Sequence, residues 1–526
     1  MEGNTGIRNW ACLMHRARQY ELLLLHMTSR SSVLLLASVM FLWVSCSLSP
    51  TTTHAAQFLI TPESAAKEPS WRDILMDSSA SGLLALEVVH RDAVNSPFNG
   101  MMRHGAATKE EVHRELEKRD QSRVFAIKKQ LELKATAAAA TTATPSLTDP
   151  VKPGISAGSG EYFVTLQVGT PPKTILATLD TGSDVFWLQC EPCEECYQQI
   201  GPIFDPTQSS SYTALKCSSP ECASLDTYQC GKVSGLCLYE VAYGDGSVTV
   251  GDFSQETVTL TSISSGNPFQ IPQFAFGCGH MNNGNFGGSA GILGLGRGKL
   301  SFPSQLQALG QQAAVSFMYC LTDRFSNPSA NSHIAFGESA SITPALGIQY
   351  TPLLQNPHLP AYYYVGLMGI SVGLAVIQFP VSFYLVDAAT GNGGVILDSG
   401  TSITQLTELA YISFRGAFQA ATTHLQTAPG TALLDTCYTI VSGNPSTVAI
   451  PPVSFLFENK VSITLPPNNV LMPVDSHGTY CLAFGINWTG NFSIIGNLQQ
   501  QNFLIEYDLT NSRVGFLGAD CAIIQY

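Results

Sequence analysis

Ala177-Thr178-Leu179-Asp180-Thr181-Gly182-Ser183 and Val395-Ile396-Leu397-Asp398-Ser399-Gly400-Thr401 are two versions of one pattern. In each, a strand-like apolar run ends in Asp, followed by a hydroxyl residue, Gly and another hydroxyl residue. A carboxylate at the end of a buried strand, on a tight glycine turn, is held in one orientation by neighbouring N–H and O–H donors. Two such carboxylates set face to face make an acid/base pair able to activate water. A D-[TS]-G-[ST] tetrapeptide arises by chance roughly a few times in 100,000 positions. Two copies in 526 residues, each after an apolar run, therefore point to an internal repeat rather than to unrelated Asx turns closing hairpins.

The repeat extends further. Gly291-Ile292-Leu293-Gly294-Leu295-Gly296 follows the first copy and Ser493-Ile494-Ile495-Gly496-Asn497 the second, with Gly294 114 residues after Asp180 and Gly496 98 residues after Asp398. Glycine at the end of an apolar strand allows a close backbone approach beside a packed turn. The pattern predicts two homologous lobes, each supplying one carboxylate to a shared cleft.

The length holds two or three compact units. Only 12% of residues are charged, and strand-like runs of Val, Ile, Phe and Tyr recur between turn signals after residue 150, which predicts a mostly β protein. Residues 151–526 carry 24 Asp and Glu against 10 Lys and Arg, a balance that disfavours nucleic acid as a partner. With few cations, few native ion pairs are lost when carboxylates protonate, so the body is suited to acid.

The N-terminus reads as a targeting region. Val33 to Val44 is an apolar run of 12 residues preceded by Arg30 and followed by small residues, the proportions of a secretory signal peptide rather than of a membrane span. This assigns residues 1–56 to the signal region, with Met27 as a second possible start, and leaves no membrane span after cleavage. Thr108 to Lys134 is highly charged with helical apolar spacing at Val112, Leu116, Val124, Ile127 and Leu131, and Ala135 to Pro150 is an Ala/Thr/Pro stretch with the look of a cleavable linker. Residues 57–150 thus read as a prosegment and linker, 151–340 as an N-terminal lobe with a cysteine-rich insert, and 341–526 as a C-terminal lobe.

Of 14 cysteines, Cys12 and Cys46 lie in the targeting region; the other twelve, in an exported chain, read as up to six disulfides. The Cys190, Cys193, Cys196 opening has metal-site spacing, yet no His cluster accompanies it, and neither His280 nor the other histidines show ligand spacing. Tyr239 to Ser247 (YEVAYGDGS) reads as a hairpin with a glycine-rich tip, able to close over a cleft, and Trp187 stands seven residues after Asp180.

Together these residues closely resemble the pepsin-like aspartic proteases, over roughly Gly160 to Cys521. The cysteine-dense insert, Gly277 to His280 (GCGH), Phe317 to Cys320 (FMYC) and Ile494 to Gln501 (IIGNLQQQ) resemble the plant nepenthesin-type subgroup, especially the aspartic proteases in guard cells. Val88 to Asp92 (VVHRD) and Ser96-Pro97-Phe98 fit the same subgroup's prosegments.

The resemblance implies a mostly β, bilobal pepsin-like fold, with two homologous β lobes and the active site in the cleft between them. It implies an acid-acting endopeptidase made as a zymogen, with Asp180 and Asp398 catalytic and Gly182 and Gly400 at the tight turns. Ser183 and Thr401 would donate to the outer carboxylate oxygens, and Thr181 and Ser399 would tie the motif loops together. Tyr243, Gly244 and Asp245 would form the flap, with Tyr243 bonded to Trp187. The subgroup's pairing implies disulfides Cys190–Cys193, Cys196–Cys278, Cys217–Cys237, Cys222–Cys230, Cys320–Cys521 and Cys437–Cys481. Polypeptides in extended conformation are the expected partners, bound by strand-like hydrogen bonding to a monomer without cofactor or metal. Sequons stand at Asn487 and Asn491, with Asn487 the better glycan site because Asn491 abuts a buried segment. The expected location is the secretory pathway and extracellular space (apoplast), with vacuole or endoplasmic reticulum as alternatives. The competing readings are an inactive secreted binding or inhibitor protein on the same fold and a two-carboxylate glycosidase.

Overall fold

The computed structural model describes residues 84–91, 108–139 and 162–522, except 244–246, 263–266, 285, 310–315, 324–331, 338–346, 442 and 489. The expected signal region, part of the linker and the flap residues Gly244 and Asp245 lie outside the described residues. The described chain opens with strand β1 (Leu84–His90) and helix α1 (Lys109–Ala139). The helix starts at a capping box, in which Glu111 N–H donates to Thr108 Oγ1 and Thr108 N–H to Glu111 Oε2. It runs past the expected stop at Lys134 into Ala135–Ala139, since alanine is the strongest helix former.

The first half continues with β2 (Tyr162–Val168), β3 (Lys173–Asp180), β4 (Trp187–Gln189), the long β5 (Val248–Ser262) and β6 (Pro268–Asn283), β7 (Gly291–Gly294), β8 (Ser316–Cys320) and β9 (Ser332–Phe336). The second half supplies β10 (Gln349–Leu354), β11 (Val395–Leu397), β12 (Thr404–Leu406), β13 (Phe484–Ile486), β14 (Ser493–Ile495), β15 (Phe503–Asp508) and β16 (Arg513–Gly518).

The sequence repeat is a structural one. β3 runs parallel to β7, with Asp180 level with Gly294, and β11 runs parallel to β14, with Leu397 level with Ile495. After each Asp turn the chain re-enters through β4 or β12, which pair in parallel with β6 and β13 respectively. The glycines make these crossings possible: a Cβ on Gly294 would come within 2.4 Å of the Asp184 carbonyl carbon, and one on Gly496 within 2.5 Å of the Ser402 oxygen.

A six-stranded antiparallel sheet joins the halves in the order β1–β9–β8–β15–β16–β10. Its outer strand, β1, also pairs with β2 and β5. Leu84, Leu86 and Val88 of β1 are buried in the apolar cluster that runs through both halves.

The disulfides are Cys190–Cys278, Cys193–Cys196, Cys217–Cys230, Cys222–Cys237, Cys320–Cys521 and Cys437–Cys481. Four expected pairings are corrected: Cys190–Cys193, Cys196–Cys278, Cys217–Cys237 and Cys222–Cys230. Leu188 stands level with Cys278 in the β4–β6 pairing, which leaves Cys190 and Cys278 with Cα atoms 5.3 Å apart. In the insert, burial sorts the rest. Cys222 and Cys237 are fully buried in one cluster and bond there, while exposed Cys230 bonds half-buried Cys217.

Candidate active site

The turns bearing Asp180 and Asp398 meet, and the two side chains are 2% and 0% exposed. Each turn is closed alike. Gly182 N–H donates to Asp180 Oδ1 and Gly400 N–H to Asp398 Oδ1, both at 3.0 Å. The loops are locked reciprocally: Thr181 N–H donates to Ser399 Oγ at 3.1 Å and Ser399 N–H to Thr181 Oγ1 at 2.9 Å. The outer donors differ. Thr401 Oγ1 donates to Asp398 Oδ2 at 2.7 Å, whereas Ser183 Oγ, expected to do the same for Asp180, has no hydrogen-bond partner. Both carboxylates also meet a residue that reading the sequence passed over.

That residue is Arg123, on α1. Its Nη2 donates to Asp180 Oδ1 at 2.5 Å and to Asp398 Oδ1 at 2.8 Å, and its Nε to Asp398 Oδ2 at 2.6 Å. The guanidinium thus bridges both carboxylates in the fork geometry that arginine favours. Asp180 is engaged through the oxygen that also receives Gly182 N–H, and Asp398 through both of its oxygens. Burial opposes the guanidinium's charge, but the two carboxylates outweigh it and hold Arg123 well above its ordinary range. A Cβ on Gly182 would sit 2.3 Å from Arg123 Nη2, and one on Gly400 2.6 Å from Asp180 Oδ1, so only glycine leaves room for the guanidinium and the paired turns.

The rest of α1 is seated on the second half. Val124, Ile127 and Leu131 pack with Leu359, Tyr362, Ile396 and Ile494, and Leu116 packs with Ile403, Leu433, Met472 and Leu498. Between these apolar contacts, Asp120 accepts from Ser402 N–H at 2.8 Å and Ile403 N–H at 2.6 Å. Glu117 accepts from Leu433 N–H at 3.1 Å and from the Thr431 hydroxyl, with His113 Nε2 3.1 Å away. The clue was available: Glu117, Asp120 and Arg123 interrupt the stripe Leu116–Val124–Ile127–Leu131 on its buried face.

On the first half, Trp187 Nε1 donates to Tyr243 OH at 2.6 Å, and Phe286 meets both rings edge-on. Burial, reinforced by Asp180, pushes the Tyr243 hydroxyl well above its ordinary range, so it stays neutral. The two sequon asparagines differ in exposure. Asn487 is 3% exposed, donates its amide to Phe492 O at 3.0 Å and accepts from Gly490 N–H at 2.8 Å, so its side chain closes a turn. Asn491 is exposed.

The chain matches the family described as xylanase inhibitor N-terminal over residues 162–338 and xylanase inhibitor C-terminal over residues 362–517. It is 48% identical over 370 residues to aspartyl protease family protein 2 of Arabidopsis thaliana, covering 70% of this chain and 73% of that protein. Against aspartic protease in guard cell 2 of the same plant it is 39% identical over 449 residues, covering 85% and 90%. Against aspartic proteinase nepenthesin-1 of Nepenthes gracilis it is 39% identical over 373 residues, covering 70% and 80%. The crystal structure of edgp shares the fold, with a TM-score of 0.58 at 20% identity over 71% of this chain and 97% of that one.

Two β lobes meeting at paired Asp turns, with these relatives, place the chain in the pepsin-like aspartic protease family. Within it the chain is of the plant nepenthesin type, and it is an aspartic-type endopeptidase. Among the described residues, no helix is long and apolar enough to cross a membrane.

Proposed function

We propose that the chain is a secreted endopeptidase made as a zymogen, in which Asp180 and Asp398 form the catalytic dyad and residues 57–150 are the prosegment. The observation that carries this reading is Arg123, a side chain from outside the lobes that bridges both carboxylates. While it is there, the place between the carboxylates is filled by a cation and a peptide bond has no access to it. Once α1 has left, a water between the carboxylates takes its place. The ionised carboxylate removes a proton from that water as it attacks the peptide carbon, and the protonated one donates to the carbonyl oxygen. Protons then pass to the leaving nitrogen, and the C–N bond breaks. Thr401 holds Asp398 by its outer oxygen, and the Thr181–Ser399 lock fixes the distance between the two turns.

Tyr243, held by Trp187, would shape the pocket before the cleaved bond, with Gly244 and Asp245 at the flap tip over an extended peptide. Six disulfides suit export through the secretory pathway to the apoplast. The lobes would divide near residue 340, and Asn491 is the better glycan site of the two.

The test is incubation of the purified full chain at pH 3–4 with an unfolded protein, with and without pepstatin, and N-terminal sequencing of the product chain. Expected are loss of the α1 segment and pepstatin-sensitive cleavage. Absence of cleavage by correctly processed protein would leave the inactive binding protein as the reading.

A further inference from the structure

The face that α1 covers has two places fitted to a carboxylate. In the first, both oxygens of Asp120 are held by consecutive main-chain N–H groups, Ser402 at 2.8 Å and Ile403 at 2.6 Å, just after the Asp398 turn. In the second, Glu117 is held by Leu433 N–H at 3.1 Å and by the Thr431 hydroxyl. The two carboxylates are 2% and 3% exposed. Burial pushes Glu117 up, while His113, which leaves with α1, and Thr431 and Leu433, which stay with the lobe, together hold it below the usual range. All four donors belong to the lobe, and main-chain N–H groups stay donors whatever covers them. When α1 departs they face an open cleft and require acceptors.

We propose that these donor pairs form subsites for acidic side chains, so that the enzyme prefers polypeptides carrying Asp or Glu a short distance from the cleaved bond. The proposal rests on the endopeptidase reading above. Arg123 marks the dyad, and Asp120 and Glu117 stand three and six residues before it on the helix, about 4.5 and 9 Å along the axis. An extended peptide covers those distances in one to two and about three residues. Net charge argues for the opposite preference, since the 24 acidic residues of the body outnumber its 10 basic ones. The donors are dipoles of the backbone rather than cations, so the selectivity is local and measurable against that background.

Peptides that differ by one Asp-for-Asn exchange, at each of four positions on either side of the cleaved bond, test it with the acid-processed enzyme at pH 5. The Asp peptide should show about tenfold higher kcat/KM at one or two positions, all on the same side, the size of a charge-assisted hydrogen bond. Thr431→Val should bring the outer position to parity, and Thr431→Ser should keep the preference. Parity, or preference for Asn, at all eight positions overturns the proposal. If the processed protein cuts no peptide, the endopeptidase reading falls, and binding of the same labelled peptides by fluorescence anisotropy decides this one. Tighter binding of the Asp forms supports it, and equal binding refutes it.

Discussion

The two halves of the site have the same skeleton and different occupations. Each has a strand ending in Asp, a glycine N–H on that carboxylate and a parallel strand beside it. Yet the first half carries the Trp187–Tyr243 pair, while the second receives almost every anchor of α1: the beds of Leu116, Val124, Ile127 and Leu131, and the donors to Glu117 and Asp120. The duplication preserved what chemistry needs on both sides. Features found on one side only, the Trp187–Tyr243 pair and the seat for the covering helix, are divided between them.

The most drastic way to break the comparison is to remove one charge from the symmetric part. Asp180→Asn and Asp398→Asn should each lower kcat/KM by roughly 10⁴-fold or more, and the double variant should lose little beyond either one, because the pair acts as a unit. Steady-state assays of processed protein check this. Unequal losses would mean that the skeleton hides a functional asymmetry.

Arg123 touches both halves, so Arg123→Ala tests which half the helix depends on. Breaking a buried ion pair costs about 3–5 kcal/mol. Amide hydrogen exchange in α1 should therefore accelerate by about 100-fold or more near neutral pH. Exchange in β1 should not change, since that strand is held by ladder bonds and apolar burial.

Thr401 and Ser183 are the sharpest local contrast. Thr401→Val should destabilise the uncleaved chain by about 1–3 kcal/mol in urea unfolding, because it strips a donor from a buried carboxylate. Ser183→Ala should cost less than about 0.5 kcal/mol, because that hydroxyl has no partner to lose.

The smallest effect depends on pH. Glu117 has its folded pKa depressed, so its contribution to seating α1 is present above the ordinary carboxyl range and is lost as pH falls through the depressed value. Glu117→Gln should loosen the helix by about 1 kcal/mol at pH 6 and by progressively less as the pH falls below the ordinary carboxyl range, read by hydrogen exchange on the still uncleaved chain. An effect that does not shrink with falling pH would assign Glu117 to packing alone.

These contrasts mark what the sequence made legible. The Asp motifs and their glycine-ended partners could be read because a parallel pairing beside a tight turn leaves few residue choices, and Gly294 and Gly496 are forced. Arg123 could not be read as easily: a charge on a highly charged helix looks like a solvated face until the stripe it interrupts is known to be buried. The insert's disulfides were illegible for a related reason. Cys222, Cys230 and Cys237 are near in sequence, and only the β4–β6 register and burial decide which sulfur meets which. Asn487 fits the sequon in composition, but its amide is used to close its own turn.

The outer position of β1 in the interlobe sheet has a consequence for biosynthesis. Leu84 pairs with Phe336, and the sheet is completed only when Phe503–Asp508 and Arg513–Gly518 take their places. A ribosome making this chain delivers β1 and β2 early and the strands Phe503–Asp508 and Arg513–Gly518 much later. Contacts so distant along the chain form slowly. β1 can therefore pair early with β2 and β5, whereas its place in the interlobe sheet is completed only by strands that emerge much later.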